Sequence, residues 1–327
     1  LLVDGYGRVA TDLRVSLTDR CNLRCTYCMP PEGLEWLPRP ELLTDDEVVR
    51  LVRIAVERLG VTEVRYTGGE PLLRRGLVDI VARTSALGAE ISLTTNGIGL
   101  SRLAGPLAGA GLHRVNVSLD TLDRETFKRL AHRDRLPDVL DGMAAAARAG
   151  LRPVKVNAVL MRGVNDADAV PLLRFCLEQG YELRFIEQMP LDAQHGWRRE
   201  GMITADEILD RLSAVFELTP EPDEARGSAP AERFLVDGGP ATVGVIGSVT
   251  RPFCGACDRV RLTADGQIRN CLFAREESDL RDAMRAGVSD EELESRWRAA
   301  VAAKRPGHGI DDPSFLQPAR PMSAIGG

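Results

Sequence analysis

Strand-like and helix-like stretches alternate from residue 13 to residue 187, and this alternation constrains the fold more than any other feature of the chain. The strand-like runs are LRVSL (13–17), EVRYT (63–67), EISLTT (90–95), HRVNVSLD (113–120), VKVNAVL (154–160) and ELRFIE (182–187). They are short, rich in Val, Ile and Thr, and separated by segments long enough for a helix. The segment TDDEVVRLVRIAVERLG (44–60) reads as such a helix: Thr44 and Glu47 are spaced as a capping box, and Gly60 is placed to stop it. A further helix is expected near 75–87. Six β–α units in series predict a parallel α/β fold, either open or barrel-shaped. No internal repeat at a fixed period is visible.

The parity of the strands favours one of these shapes. One parity carries Leu13, Val15, Val64, Val115, Val117, Val154 and Val156; the other carries Arg14, Ser16, Arg65, Thr67, Asn116, Ser118, Lys155 and Asn157. A closed eight-stranded barrel fills its interior with branched apolar side chains. A polar, partly cationic face instead predicts a ligand-filled cavity inside an incomplete barrel of six strands. The alternative is a sheet with one face open to water, which is uncommon for parallel strands.

Around 217–232 the sequence ELTPEPDEARGSAPAE breaks this rhythm with Pro, Gly and charge, and reads as a linker. Beyond it lie RFLV, ATVGVIG and VRLTADGQIRNCL, the last with an Asp265-Gly266 turn that signals a hairpin. The expected organisation is a β/α domain over 1–219 and a smaller α+β region over 220–327. No apolar run approaches the roughly 18 residues of a membrane helix, and the beginning of the sequence lacks the pattern of a secretion signal. The net charge of −6 argues against broad binding to nucleic acid or anionic membranes.

Of the 7 cysteines, all but one fall in two triplets: Cys21, Cys25 and Cys28 spaced C-x3-C-x2-C, and Cys254, Cys257 and Cys271 spaced C-x2-C-x13-C. This pattern predicts a reduced, cytoplasmic, metal-binding chain rather than a disulfide scaffold. Three thiolates are one short of the set that normally closes a structural site, so the fourth position is either supplied from elsewhere or left open for chemistry. Two zinc sites completed by histidine fit poorly, because His113, His132, His195 and His308 lie far from the triplets in sequence. A thioredoxin-like reading of CGAC is weakened by the third cysteine. Cys176, inside LLRFCLEQG, is expected to be a core residue.

The segment CNLRCTYC (21–28) resembles the cluster motif of the radical S-adenosylmethionine (SAM) enzymes, and TGGEP (67–71) resembles the segment with which they hold SAM. Over nearly its whole length the chain is similar to the GTP 3′,8-cyclase family of molybdenum cofactor biosynthesis. The resemblance is carried by LRVSLTDRCNLRCTYCMP, VRYTGGEPLLR, LTTNG, RVNVSLD, VKVNAVLMRGVND, RFIEQMP, CGACDRVRLTADGQIRNCL and the terminal MSAIGG. It is weakest in the linker and the last helices, where no chemistry is expected.

The resemblance implies a fold, a chemistry and a set of residues. The fold would be an incomplete (β/α)6 radical SAM barrel closed by a C-terminal region carrying a second iron–sulfur cluster. Cys21, Cys25 and Cys28 would hold one 4Fe-4S cluster, and Cys254, Cys257 and Cys271 another with an open iron facing GTP. Tyr27, Gly69, Ser118 and Met189 would contact SAM. Arg14, Arg65, Thr94, Lys155, Arg184, Arg259 and Arg261 would bind GTP, with Arg14, Arg259, Arg261, Gly326 and Gly327 taking part in catalysis. The cationic strand positions support this set independently, since arginine forks suit phosphate.

The implied reaction converts GTP to 3′,8-cyclo-7,8-dihydro-GTP. It calls for a flavodoxin- or ferredoxin-like electron donor and a downstream cyclic pyranopterin monophosphate synthase, and it leaves a homodimer open; neither nucleic acid nor a membrane is expected as partner. Two rivals share parts of the pattern. A peptide-modifying radical SAM enzyme with an auxiliary cluster would more often carry additional C-terminal cysteines. A two-cluster electron carrier would need neither a cationic cavity nor open irons.

Overall fold

The computed structural model describes residues 1–326. Among them the strands form one 12-stranded sheet. Its first part is the expected series: β1 (Asp12–Ser16), β2 (Glu63–Thr67), β3 (Glu90–Thr95), β4 (Arg114–Ser118), β5 (Val154–Val159) and β6 (Glu182–Ile186), each parallel to the next. Between them run α1 (Asp45–Leu59), α2 (Leu77–Ser85), α3 (Leu100–Gly109), α4 (Arg124–Ala131), α5 (Leu136–Arg148) and α6 (Ala169–Gln179), and α7 (Ala205–Ser213) follows β6. The start and stop of α1 are as the sequence predicts. Thr44 and Glu47 form both halves of the capping box, and Gly60 takes a left-handed conformation at the C-terminus.

The later strands are β7 (Leu218–Pro220), β8 (Glu232–Val236), β9 (Thr242–Ile246), β10 (Arg259–Leu262), β11 (Gln267–Arg269) and β12 (Ser278–Asp279). They join both edges of the first series. β10 lies parallel beside β1 with β11 and β12 beyond it, and β9 lies parallel beside β6 with β8 and β7 beyond it. The parallel sheet is therefore wider than six β–α units can make it. The predicted linker over 217–232 is corrected in part: it contains β7, antiparallel to β8, and a short helix, Asp223–Arg226. Its Pro-rich composition is compatible with a strand because β7 is the last strand of the sheet, where few backbone donors are needed.

The apolar parity of the strands packs against the helices. Val15, Val64, Ile91, Val115, Val156 and Leu183 join Leu51, Ile54 and Ile80 of the helices in the main core. Each such fully buried aliphatic side chain contributes about 1.5–3 kcal/mol. Cys176 is fully buried in this core, as predicted. The opposite parity faces inward. Arg14, Arg65, Thr94, Asn116, Asn157 and Arg184, from successive parallel strands, line a common cavity. The expectation of a cavity rather than a solvated sheet face is met.

Candidate functional site

The cavity has a volume of about 310 Å³, and both cysteine triplets open onto it. The first lies on the loop after β1. Backbone bonds fasten this loop: Arg24 N–H to the Ala131 carbonyl and Thr26 N–H to that of Leu130, both 2.9 Å, tie it to the end of α4. Within the loop, the Cys28 and Met29 amides donate to the Cys25 carbonyl at 2.8 and 3.0 Å. The glycines of TGGEP let the loop after β2 press against it. At Gly68 (φ +143°) an added Cβ would stand 2.4 Å from the Thr18 carbonyl oxygen, and at Gly69 it would stand 2.4 Å from those of Asp19 and Arg20. The Gly69 and Glu70 amides, in turn, donate to the Thr18 and Arg20 carbonyls at 2.8 Å. Gly69 therefore serves loop packing as well as lining the cavity.

Burial raises the pKa of Cys21, Cys25 and Cys28, and the neighbouring thiols and the carboxylates of Glu70, Asp120 and Asp192 raise it further. Three thiolates here need a strongly cationic partner. A cubane cluster held through three sulfurs suits that donor set, and the free thiols fit it. The Tyr27 hydroxyl is committed to Asp120, 2.6 Å away, and Asp120 also accepts from the Val159 amide at 2.8 Å. Asp120 itself is pushed up to about 6 by burial. Sequence reasoning missed this carboxylate and also Glu70. Fully buried, Glu70 accepts from the Asn96 amide at 2.7 Å and the Thr95 hydroxyl at 2.7 Å, while Asn96 reaches the Cys21 sulfur at 3.8 Å. Ser118 and Met189 also line the cavity.

The second triplet is gathered from two segments. Cys254 and Cys257 flank a short helical turn, with the Cys257 amide on the Cys254 carbonyl at 3.2 Å, and Cys271 follows the β10–β11 hairpin. Burial and the neighbouring thiols raise the pKa of Cys254. Burial also acts on Cys257, but Lys304 and Arg259 outweigh it, and that thiol falls below the ordinary range. Lys304 and His308 were not expected here. His308 borders the cavity, its Nδ1 accepts from the Ile310 amide at 3.1 Å, and its Nε2 therefore donates to the Ser248 carbonyl at 2.9 Å. Sequence distance hides both residues: they come from the segment past the last long helix, and no ligand spacing marks them.

Between the triplets the strand register puts Arg261, Arg14 and Arg65 side by side on β10, β1 and β2. Like charges in adjacent register repel. Burial followed by Arg14 pushes Arg65 down to about 9, and burial lowers Arg14, Arg184 and Arg261 as well. Guanidinium groups stay charged, so the row calls for an anion. The available carboxylates stand off: Asp12 is 3.7 Å from Arg14 and 3.8 Å from Arg259, Asp258 is 3.6 Å from Arg259, and Glu182 is 4.0 Å from Arg184. Buried Nε groups of Arg14 and Arg259 and the Oδ1 atoms of Asn116 and Asn157 have no hydrogen-bond partner among the described residues. This cavity wall is built for a polyanion with further polar groups.

Thr94 and Arg184 belong to that lining. Lys155 does not; it sits near the start of β5 with its ammonium 3.7 Å from Glu182, and burial and Arg184 push it down to about 8. The tail enters the sheet's inner face. The Ile325 carbonyl accepts from the Ser16 hydroxyl at 3.1 Å and the Gly326 carbonyl from Arg261. A Cβ on Gly326 would meet the Ser16 oxygen at 2.3 Å. Gly327 lies outside the described residues.

The fold and this cavity define a class. Residues 15–176 match the family model described as the Radical SAM superfamily, and residues 181–310 match Molybdenum Cofactor Synthesis C. A solved structure of Streptococcus suis SuiB bound to S-adenosylmethionine shares the fold, with a TM-score of 0.61 at 14% identity over 91% of this chain and 69% of that one. The particular family follows from relatives named GTP 3′,8-cyclase. That of Streptomyces coelicolor is 68% identical, over 100% of this chain and 96% of its own length. That of Mycolicibacterium smegmatis is 63% identical, over 100% and 92%. The chain belongs to the GTP 3′,8-cyclase family. No helix among the described residues is long and apolar enough to cross a membrane.

Proposed function

We propose that the chain is a radical SAM enzyme that converts GTP to 3′,8-cyclo-7,8-dihydro-GTP, the first step of molybdenum cofactor biosynthesis. The observation that carries this reading is that both cysteine triplets and the arginine row face one cavity. In this reading β1–β6 and their helices form an incomplete barrel within residues 1–219. Residues 220–327 close it and bring the second triplet. Cys21, Cys25 and Cys28 would hold the first 4Fe-4S cluster and Cys254, Cys257 and Cys271 the second. When bound, the clusters and SAM would supply radical chemistry, removing the ribose 3′ hydrogen so that this carbon can join carbon 8 of guanine, with one electron to cleave SAM and a second electron and a proton to complete the product.

The protein's own part is binding, orientation and exclusion of water. Arg14, Arg65, Arg184, Arg259 and Arg261 hold the triphosphate against the inner sheet face and Thr94 extends that wall, while Lys155, outside the lining, adds positive charge from the start of β5. The Asp120 carboxylate fixes the Tyr27 ring beside the cysteine loop, so Tyr27, Gly69, Ser118 and Met189 present a shaped wall to SAM. Gly326, bonded to Arg261, meets the guanidinium row from the tail side, and Gly327 takes part in catalysis with it. Holding two reactants in one small cavity makes their encounter effectively intramolecular. The two electrons come from a flavodoxin- or ferredoxin-like donor in the cytoplasm, and the product passes to cyclic pyranopterin monophosphate synthase. The oligomer, if one forms, is a homodimer.

The test is anaerobic reconstitution with iron and sulfide, then incubation with SAM, reductant and GTP. Mass spectrometry is expected to find 5′-deoxyadenosine and an isomer of GTP whose formation depends on both. Deoxyadenosine formed without any change in GTP would overturn the substrate assignment.

A further inference from the structure

The two triplets differ in what surrounds their sulfurs. Around the first, the nearest donors are neutral: the Leu23 amide, 3.5 Å from Cys21 Sγ, and the Asn96 amide group at 3.8 Å. Asn96 rests on Glu70 and Tyr27 on Asp120, two buried carboxylates, while the Arg24 guanidinium is bonded to the Cys21 carbonyl at 2.7 Å rather than to a sulfur. Around the second, the His308 and Arg259 amides are joined by two cations. Lys304 Nζ lies 3.3 Å from Cys257 Sγ, and Arg259 Nη1 lies 3.7 Å from the same sulfur.

Lys304 is buried, and its ammonium also donates to the Cys257 carbonyl at 3.2 Å and the Arg259 carbonyl at 2.9 Å. Three donors thus meet three acceptors. Among the described residues no carboxylate is hydrogen-bonded to it, and the sulfur is the acceptor in that set that can carry a full negative charge. Burying an ammonium beside a neutral thiol leaves its charge uncompensated, whereas beside a ligating thiolate the two charges compensate. Arg8 fixes the arrangement from the other end of the chain. Its guanidinium donates to the carbonyls of Cys254 at 2.6 Å, Pro306 at 2.9 Å and Arg305 at 2.5 Å, and it pairs with Asp4 at 2.5 Å. The segment carrying Lys304 is thereby bound to the loop carrying Cys254.

We propose that Lys304, braced by Arg8, is a positioning residue that makes the second cluster the more easily reduced of the two. The inference rests on the reading of Cys254, Cys257 and Cys271 as cluster ligands. Its physical basis is charge: an added electron makes a cluster more negative, and a cation at hydrogen-bond distance from a ligand sulfur stabilises that state more than the oxidised one. Hydrogen bonds to sulfur and local charge are what set cluster potentials within one ligand type.

The test is a potentiometric titration followed by electron paramagnetic resonance on the reconstituted full chain, without SAM or GTP. In the wild type the second cluster is expected to be reduced at the more positive potential. The triple alanine variants of each triplet assign the two signals. Lys304→Gln keeps a donor and removes the charge; it should shift the second midpoint in the negative direction and leave the first unmoved. Lys304→Arg should recover part of the shift, and Arg8→Met, which only loosens the brace, should give a smaller one. A second midpoint unchanged in Lys304→Gln, with both clusters present, would overturn the inference. Iron and sulfide analysis separates this from failure of the ligand assignment: a wild type holding one cluster would sink that assignment, not the role of Lys304 alone.

Discussion

The first cysteine loop packs its three thiols into eight residues and is held by backbone bonds to α4 and by glycine contacts with the loop after β2. The second assembles its thiols from both sides of a hairpin and is held by side chains of Arg8 and Lys304, which come from opposite ends of the chain. The first is thus a local device whose geometry travels with its motif. The second exists only once distant segments have met. Backbone packing makes the first intolerant of added volume, and long-range cations make the second sensitive to loss of charge.

The sharpest break of this comparison removes each triplet in turn. Alanine at Cys21, Cys25 and Cys28 together should abolish 5′-deoxyadenosine formation and leave about half the iron, one cluster of two. Alanine at Cys254, Cys257 and Cys271 should leave about half the iron as well, but SAM cleavage should persist while cyclisation is lost. Loss of all iron from either variant would show that the loops are not independent.

A smaller effect is expected from the wall between them. Arg261→Ala should weaken GTP binding roughly ten- to hundred-fold, since a charge-assisted contact contributes about 1.5–3 kcal/mol. Wild-type affinity measured by calorimetry should fall as salt rises. Affinity unchanged by the substitution would place the triphosphate away from β10.

Volume separates the loops next. Gly68→Ala forces a side chain into φ +143° and against the Thr18 carbonyl. It should cost about 1–3 kcal/mol and release iron selectively from the first cluster. Gly255→Ala meets nothing within 4 Å and should leave both the thermal midpoint and the iron content as in the wild type. Equal losses in the two variants would remove the contrast.

The smallest effect is on pH. Burial pushes Glu70 up to about 7, against hydrogen bonds from Asn96, Thr95 and Leu72 that act the other way. Folded chain therefore binds more protons than unfolded chain between the ordinary glutamate range and pH 7. Its contribution is full at low pH and is lost as pH rises toward and through 7. Denaturant unfolding of the cluster-free protein should show stability falling by at most about 1.4 kcal/mol per pH unit from this group. Glu70→Gln should flatten that slope, and an unchanged slope would assign it to other groups.

Much of this was legible because it is local. Strand parity separated Val15 and Val64 from Arg14 and Arg65, and side chains that alternate by two residues cannot change face without a slip in register. Thr44, Glu47 and Gly60 marked α1 through contacts spanning few residues. The cysteines, the inward arginines and the tail glycine were visible as residues, though not as neighbours. β7 was hidden because proline and charge there resemble a linker, and only the free edge of β8 makes it a strand. Lys304, Arg8 and His308 were hidden because a cation or imidazole without fixed spacing has no signature. Their roles arise from which segments the topology brings together. Tyr27 was found as a residue, but its Asp120 partner needs β4 placed beside the cysteine loop.

The placement of β9 and β10 reaches beyond catalysis into how such a chain can be made. β10 protects the free side of β1 across a sequence separation running from Asp12 to Arg259, and β9 protects that of β6. A ribosome that has released β1 through β6 holds a parallel sheet with two raw edges, each a template for pairing with another chain. Contacts this distant in sequence form late and slowly. The nascent chain therefore passes through an interval in which it is vulnerable to aggregation, and the segments that carry the second triplet end that interval. A fragment stopped before β9 would stay in it, so the two halves of this molecule are poor candidates for separate expression or domain exchange.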